Sequence, residues 1–223
     1  RNPALMWLVA DEMVNIEETD YAKVPQGIIP RLDAAGMLAV MRQYSSRMPW
    51  RSYSSSWNLL SSHDSPRIRS IVGSRDKQIA SAVLMTTFPG TPMIFAGDEL
   101  GAQGLWGEDS RTTHPWDKEA EWDKELLNTY TTLNNLRTSS DALSEGGLRI
   151  IHLDADVIVY LRETSNERIL ALVARNAVGS ATFNLQTWAF SSLEKVFGFD
   201  ASVSGNSITV TVPQAGGGIW RIV

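Results

Sequence analysis

The chain has 223 residues, 43% of them hydrophobic and 20% charged, which suits one large globular domain or two smaller ones. Acidic residues outnumber basic ones by 25 to 20, and a net charge of −5 repels a phosphate backbone, so nucleic acid is not an expected partner. No apolar run approaches the roughly 18 residues of a spanning helix, so no membrane association is expected either.

Along the chain, Ala34 to Met48 carries Met37, Met41, Tyr44 and Met48 every three or four residues, which predicts an amphipathic helix. Ser52 to Leu60 ends in Trp57-Asn58-Leu59-Leu60, an apolar run that reads as a buried strand. Asp76 to Phe88 reads as a helix with Ile79, Ala82, Val83 and Thr86 on one side and Asp76 favourably placed in the first turn. Pro89-Gly90-Thr91-Pro92 breaks the chain, and Met93-Ile94-Phe95-Ala96 follows as a short apolar strand. Trp122, Leu126, Tyr130 and Leu133 mark a further helix ending near Arg137. Strands alternating with helices, and apolar along their whole length, indicate parallel pairing covered by helices. Two such units are too few to close an eight-stranded barrel but enough for its last quarter.

From about residue 145 the texture changes to short β-rich runs. They are Leu148 to Leu153, Asp156 to Glu163, Arg168 to Arg175, Ala181 to Leu185, Leu193 to Phe197, Ser207 to Val212 and Ile219 to Val223. Breaks such as Thr164-Ser165-Asn166 and Gly216-Gly217-Gly218 separate them, as expected of an antiparallel β-sandwich. The glycine tract is expected to form a hairpin turn. A boundary is expected within residues 138–146, dividing a part-barrel over 1–140 from a β-sandwich domain over 145–223.

The chain has no cysteine, so disulfides and thiol catalysis are ruled out. That composition fits a reducing compartment, with the cytoplasm the expected location. His63, His114 and His152 lie far apart, with no HExxH or paired-cysteine pattern, so neither a metal site nor a cofactor is expected. Arg1-Asn2-Pro3 is neither an initiator methionine nor a signal peptide, which suggests a piece of a longer protein.

In parallel α/β barrels the reactive residues lie where strands end and loops begin. Two strand ends here are unusually polar: Ser61-Ser62-His63-Asp64-Ser65-Pro66-Arg67 and Gly97-Asp98-Glu99. A structural reading is open for both. Ser65 and Pro66 suit the start of a helix, where Asp64 could accept backbone N–H bonds. Glu99 reads mainly as structural. Arg111 could form an ordinary surface pair with Asp109. Trp116 could be an exposed aromatic platform or, the commoner fate, a buried tryptophan beneath a long loop. His114 and His152 read as a loop and a strand residue.

Ser62-His63-Asp64, followed about 26 residues later by Gly90-Thr91-Pro92-Met93-Ile94-Phe95-Ala96-Gly97-Asp98-Glu99, resembles glycoside hydrolase family 13. In that family strand seven ends in Asn-His-Asp, and strand eight reads Gly-x-Pro, an apolar run, then Gly-x-Glu. Gly107 to Asp117 resembles the loop reading Asp-x-x-Arg-Arg-Pro-Met-Pro-Trp in the neopullulanase, cyclomaltodextrinase and α-glucosidase branches. The resemblance covers residues 57–117, and the later sandwich agrees with the family's C-terminal β domain by pattern alone.

The resemblance implies the C-terminal portion of a retaining α-glycosidase acting on α-glucans or maltooligosaccharides. Asp64 would be the third carboxylate of the site, gripping the hydroxyls of a distorted sugar and stabilising the oxocarbenium-like transition state. His63 would donate a hydrogen bond to the same sugar, and Arg111 would contribute to substrate binding. The family's nucleophilic Asp and acid Glu follow strands four and five, upstream of this chain, and Asp11, Glu12, Glu17 and Glu18 match neither motif. Pro3 to Leu8 resembles the helix after strand six. The implied partner is therefore the N-terminal part of the same enzyme, without which this chain is expected to be inactive. The family's calcium ligands also lie upstream. Ser62 stands where the family has Asn, and Thr112-Thr113-His114 where it has Arg-Pro-Met, which leaves subfamily and substrate length open. A non-catalytic carbohydrate-binding fragment, or a helper subunit with the same fold, is the competing expectation.

Overall fold

The computed structural model describes residues 2–10, 31–105, 107–185 and 190–223. Helix α1 (Pro3–Leu8) starts at Asn2, whose side chain accepts from the Ala4 N–H, and α2 (Ala34–Ser45) starts at Asp33, which accepts from Gly36. These caps satisfy N–H groups that the first turn of a helix leaves without partners. Trp7 and Leu8 of α1 and Met37 and Leu38 of α2 are buried. Helix α2 stops short of the expected Met48, and both Tyr44 in its last turn and Met48 beyond it are exposed.

A short helix α3 (Trp50–Ser54) leads into strand β1 (Trp57–Leu59), then α4 (Ile68–Val72), α5 (Arg75–Thr87) and β2 (Thr91–Met93). Strands β1 and β2 pair in parallel, with Asn58 opposite Pro92. Neither is the buried strand expected from its apolar sequence: Trp57 is 70% exposed and Met93 40%. Strand β2 also begins and ends earlier than Met93 to Ala96. The Phe95 and Ala96 carbonyls accept from Asp98 N–H and the Arg67 guanidinium, which withdraws this stretch from the ladder.

Helix α6 (Lys124–Ser139) and one-turn α7 (Asp141–Ser144) precede eight strands. They are β3 (Gly147–Leu153), β4 (Val157–Glu163), β5 (Arg168–Ala174), β6 (Gly179–Asn184), β7 (Leu193–Gly198), β8 (Ala201–Ser204), β9 (Ser207–Val212) and β10 (Gly216–Ile222). They form an antiparallel five-stranded sheet in the order β3-β4-β5-β10-β7 and a three-stranded sheet β6-β9-β8. Strand β8, four residues in which Ala201 and Val203 alternate with serines, is too short to have stood out in the sequence.

The central sheet is buried on both faces. Val157, Val159, Leu161, Leu170, Leu172 and Trp220 face the three-stranded sheet, while Ile158, Tyr160, Ile169, Ala171, Val173 and Ile219 join the core that includes α5 and α6. The period-two alternation of the side chains assigns the faces. The glycine tract, expected as a turn, lies in β10. A Cβ on Gly217 would meet Val83 of α5 at 2.9 Å and the Leu172 carbonyl at 2.8 Å. One on Gly218 would lie 2.2 Å from the Trp220 ring. Only glycine lets helix and strand backbone approach this closely.

Helix α5 starts at Ser74, which caps the Lys77 N–H, and is buried from Ala80 to Thr87. Its last carbonyls are answered by side chains. Arg137 donates to Thr86 and Gly90, Asn58 to Met85 and Pro89, and Arg162 to Thr87. Arg162 also donates to Gly146 and Gly147, and burial pushes its pKa down to about 10, which leaves it charged at neutral pH. Arg175 ties α1 to the sandwich by donating to the Trp7 and Leu32 carbonyls. No helix among the described residues is long and apolar enough to cross a membrane.

Arg162→Met should strand three carbonyls, two of them in buried contacts, at a cost of about 3 kcal/mol or more. Denaturant unfolding measures this, and an unchanged midpoint would show that water replaces the guanidinium.

Candidate active site

The carboxyl ends of β1 and β2 lie side by side because the strands are parallel, so the loops after Leu59 and Met93 share one end of the sheet. After β1 the chain makes a tight turn in which Ser65 N–H donates to the Ser62 carbonyl and Ser62 N–H to Ser65 Oγ. The turn puts His63 and Asp64 at its tip, with side chains 66% and 69% exposed.

Asp64 caps no helix in this arrangement: α4 begins after Arg67, with no side-chain bond at its cap. Instead Asp64 Oδ1 accepts from Arg111 Nη2 at 2.8 Å, and His63 Nε2 lies 3.3 Å from Oδ2. Arg111 Nε donates to the His63 carbonyl at 2.8 Å, and Nη1 lies 3.4 Å from Glu108. Asp109 does not take the Arg111 pairing considered from sequence; its Oδ2 accepts from Leu105 N–H. Thus the three candidate residues, His63, Asp64 and Arg111, meet in one exposed cluster although the last is 47 positions from Asp64. Such a group presents a carboxylate, an imidazole and a guanidinium to solvent, the groups that hold polyol hydroxyls.

Beneath this cluster lies a buried network that the sequence did not reveal. Arg67, only 2% exposed, donates from Nη1 to Asp98 Oδ1 at 3.0 Å and to the Ala96 carbonyl, and from Nε to the Ser110 carbonyl. Its guanidinium lies 3.8 Å over the Phe95 ring, and Ser61 Oγ hydrogen-bonds the other oxygen of Asp98. Burial pushes the Asp98 carboxyl above its ordinary range, against the pull of Ser61 and Arg67. Gly97, at φ 100°, supplies the left-handed turn that swings Asp98 inward. One arginine therefore pins the loop after β1, the segment after β2 and the loop through Ser110. Arg67 and Asp98 each lie in one of the two polar strand-end stretches, but nothing in the sequence pairs them across 31 positions.

Glu99 accepts from Gly97 N–H and lies 3.4 Å from His114 Nε2. Trp116, 74% exposed, is not the buried residue considered from sequence, and its ring lies against His114. His152 sits on β3 against Phe183. Asp11, Glu12, Glu17 and Glu18 lie outside the described residues. A cavity of about 550 Å³ opens beside β1, lined mostly by apolar side chains of α1, α2, β1 and α5 and reaching Ser61, Ser62 and Ser65. Among the described residues no group of three His, Cys, Asp or Glu could hold a metal ion.

A parallel strand pair with a polar cluster at its carboxyl ends, covered by helices and followed by a β-sandwich, is the arrangement found at the last strands of a (β/α)8 barrel joined to a β domain. The model of the alpha amylase catalytic domain matches residues 15–125. Neopullulanase 2 of Thermoactinomyces vulgaris is 33% identical over 133 residues, 58% of this chain and 22% of that protein. An amylopullulanase of Thermoanaerobacter thermohydrosulfuricus is 27% identical over 80% of this chain and 14% of its own length. The debranching enzyme of Nostoc punctiforme has the same fold, with a TM-score of 0.79 at 23% identity over 98% of this chain and 45% of that one. The chain belongs to the α-amylase family, glycoside hydrolase family 13. It spans less than a quarter of the length of either of these curated relatives.

Asp98→Ala should leave the buried Arg67 charge without its counter-ion and cost about 3–5 kcal/mol in denaturant unfolding. A variant that unfolds like the parent would show that Arg67 needs only its carbonyl partners.

Proposed function

We propose that this chain is the C-terminal portion of a retaining α-glycosidase acting on α-glucans or maltooligosaccharides. The observation that carries the proposal is the convergence of His63, Asp64 and Arg111 at the strand ends, exposed above a buried floor. Asp64 grips two hydroxyls of the distorted sugar, His63 donates to one of them, and Arg111 lines the site and binds substrate. Bonds that tighten as the ring flattens lower the barrier without adding to ground-state affinity. The relatives' names, neopullulanase and amylopullulanase, support an α-glucan as the substrate class.

The nucleophile and the acid belong to the N-terminal part of the same enzyme, which is the partner this proposal requires. The half-exposed β1–β2 pair and the apolar cavity beside β1 support such a partner, since a parallel sheet is stable when both faces and its edges are covered. In this reading residues 1–140 are barrel and 145–223 the β domain, the site works without a cofactor, and the location is cytoplasmic.

In the assembled enzyme, Asp64→Asn should lower kcat by ~10²-fold or more with little change in KM, as for loss of a contact made in the transition state. Its melting temperature should barely move, because an exposed ion pair contributes at most about 1 kcal/mol. A normal kcat would refute the role and favour a non-catalytic carbohydrate-binding fragment.

Retention predicts that NMR of a fresh digest shows the α anomer first, with the isolated chain as an inactive control. Initial β anomer, or hydrolysis by the chain alone, would overturn the assignment.

A further inference from the structure

Among the described residues four large aromatic side chains are exposed: Tyr44, Trp50, Trp57 and Trp116. Trp57 opens β1, Tyr44 and Trp57 line the apolar cavity beside that strand, and Trp50 lies on α3. Trp116 is different. It lies on the same loop as Arg111, five positions on, and five residues of chain reach at most about 18 Å. Arg111 touches Asp64, so that reach bounds the backbone of Trp116 to within about 18 Å of the backbone of a cluster residue.

The ring is also held in place. His114 lies against it with centroids 3.9 Å apart and planes 31° from parallel, and Trp122 meets His114 edge-on at 6.0 Å. His114 Nε2 is anchored at Glu99 on the segment after β2, and Trp122 Nε1 donates to the Pro115 carbonyl. Trp116 N–H donates to the His114 carbonyl, closing the turn. One indole face is thus backed while the side chain remains 74% exposed, so the other face is open. A flat aromatic surface immobilised before binding loses little conformational entropy on contact. The C–H face of a pyranose ring is a matching apolar surface, with its hydroxyls left at the rim.

We propose that Trp116 is a stacking platform for a glucosyl unit remote from the cleaved bond, and that it sets a preference for longer maltooligosaccharides. The proposal rests on the α-glycosidase reading above and adds a residue whose contribution grows with substrate length. Binding energy from such a remote unit serves the larger substrate and leaves the shorter one unaffected.

The test compares kcat/KM for maltoheptaose and maltotriose in the assembled enzyme. Trp116→Ala should lower the maltoheptaose value about 3- to 10-fold, mostly through KM, and leave maltotriose within about twofold. Trp116→Phe, which keeps a ring, should retain most of the parent's preference. Equal losses on both substrates, equal losses in the two variants, or no loss at all would each overturn the platform while leaving the glycosidase reading intact. Failure of the unsubstituted enzyme to turn over either substrate would overturn both.

Discussion

Helix α5 is the element to which the rest of the fold is fastened. It is buried from Ala80 to Thr87, touching both strands of the parallel pair, the central sheet and α6. A helix in that position cannot leave its last carbonyls to water. Three side chains from elsewhere, Asn58, Arg137 and Arg162, reach in to donate to them or to the carbonyls just beyond. Those bonds fix the loop that delivers β2, and β2 delivers Gly97, Asp98 and Glu99. The position of the polar strand ends therefore follows from how one helix terminus is satisfied.

The site itself divides into a floor and a surface with different energetics. The Arg67–Asp98 pair is nearly inaccessible, so its attraction is little screened and breaking it leaves a stranded charge. The Arg111–Asp64 pair above it stands in solvent and adds little to stability. A weak contact at the top is useful if a sugar has to compete for the same carboxylate. In the proposed reading the buried floor, held by its own partners, is not engaged in that competition.

The parts of this arrangement that the sequence disclosed are those set by local pattern. Ser62-His63-Asp64 and the Gly90 to Glu99 stretch stand at strand ends because apolar runs lead into them, and most runs of the sandwich show themselves by β-rich composition. What escaped notice depends on distant partners. Arg67 and Asp98 find each other across two loops, and no periodicity records that. Gly216-Gly217-Gly218 has the composition of a turn, yet it extends as strand because Val83 packs on it from a helix more than a hundred residues earlier. Ile94 to Ala96 looks like strand and leaves the ladder because an arginine side chain and a turn claim its carbonyls.

The glycine tract also bears on how such proteins can be rearranged in evolution. A β-sandwich that met its neighbour through a few loop residues could be exchanged as a cassette between enzymes. Here the outer face of the central sheet is fitted to α5, with Gly217 shaped to Val83 and Tyr160 hydrogen-bonded to Thr87. Recombination at the junction near residue 145 would separate surfaces that pack closely on each other. The helix and the sheet should therefore be inherited as a unit, with substitutions at Val83 answered by changes in β10.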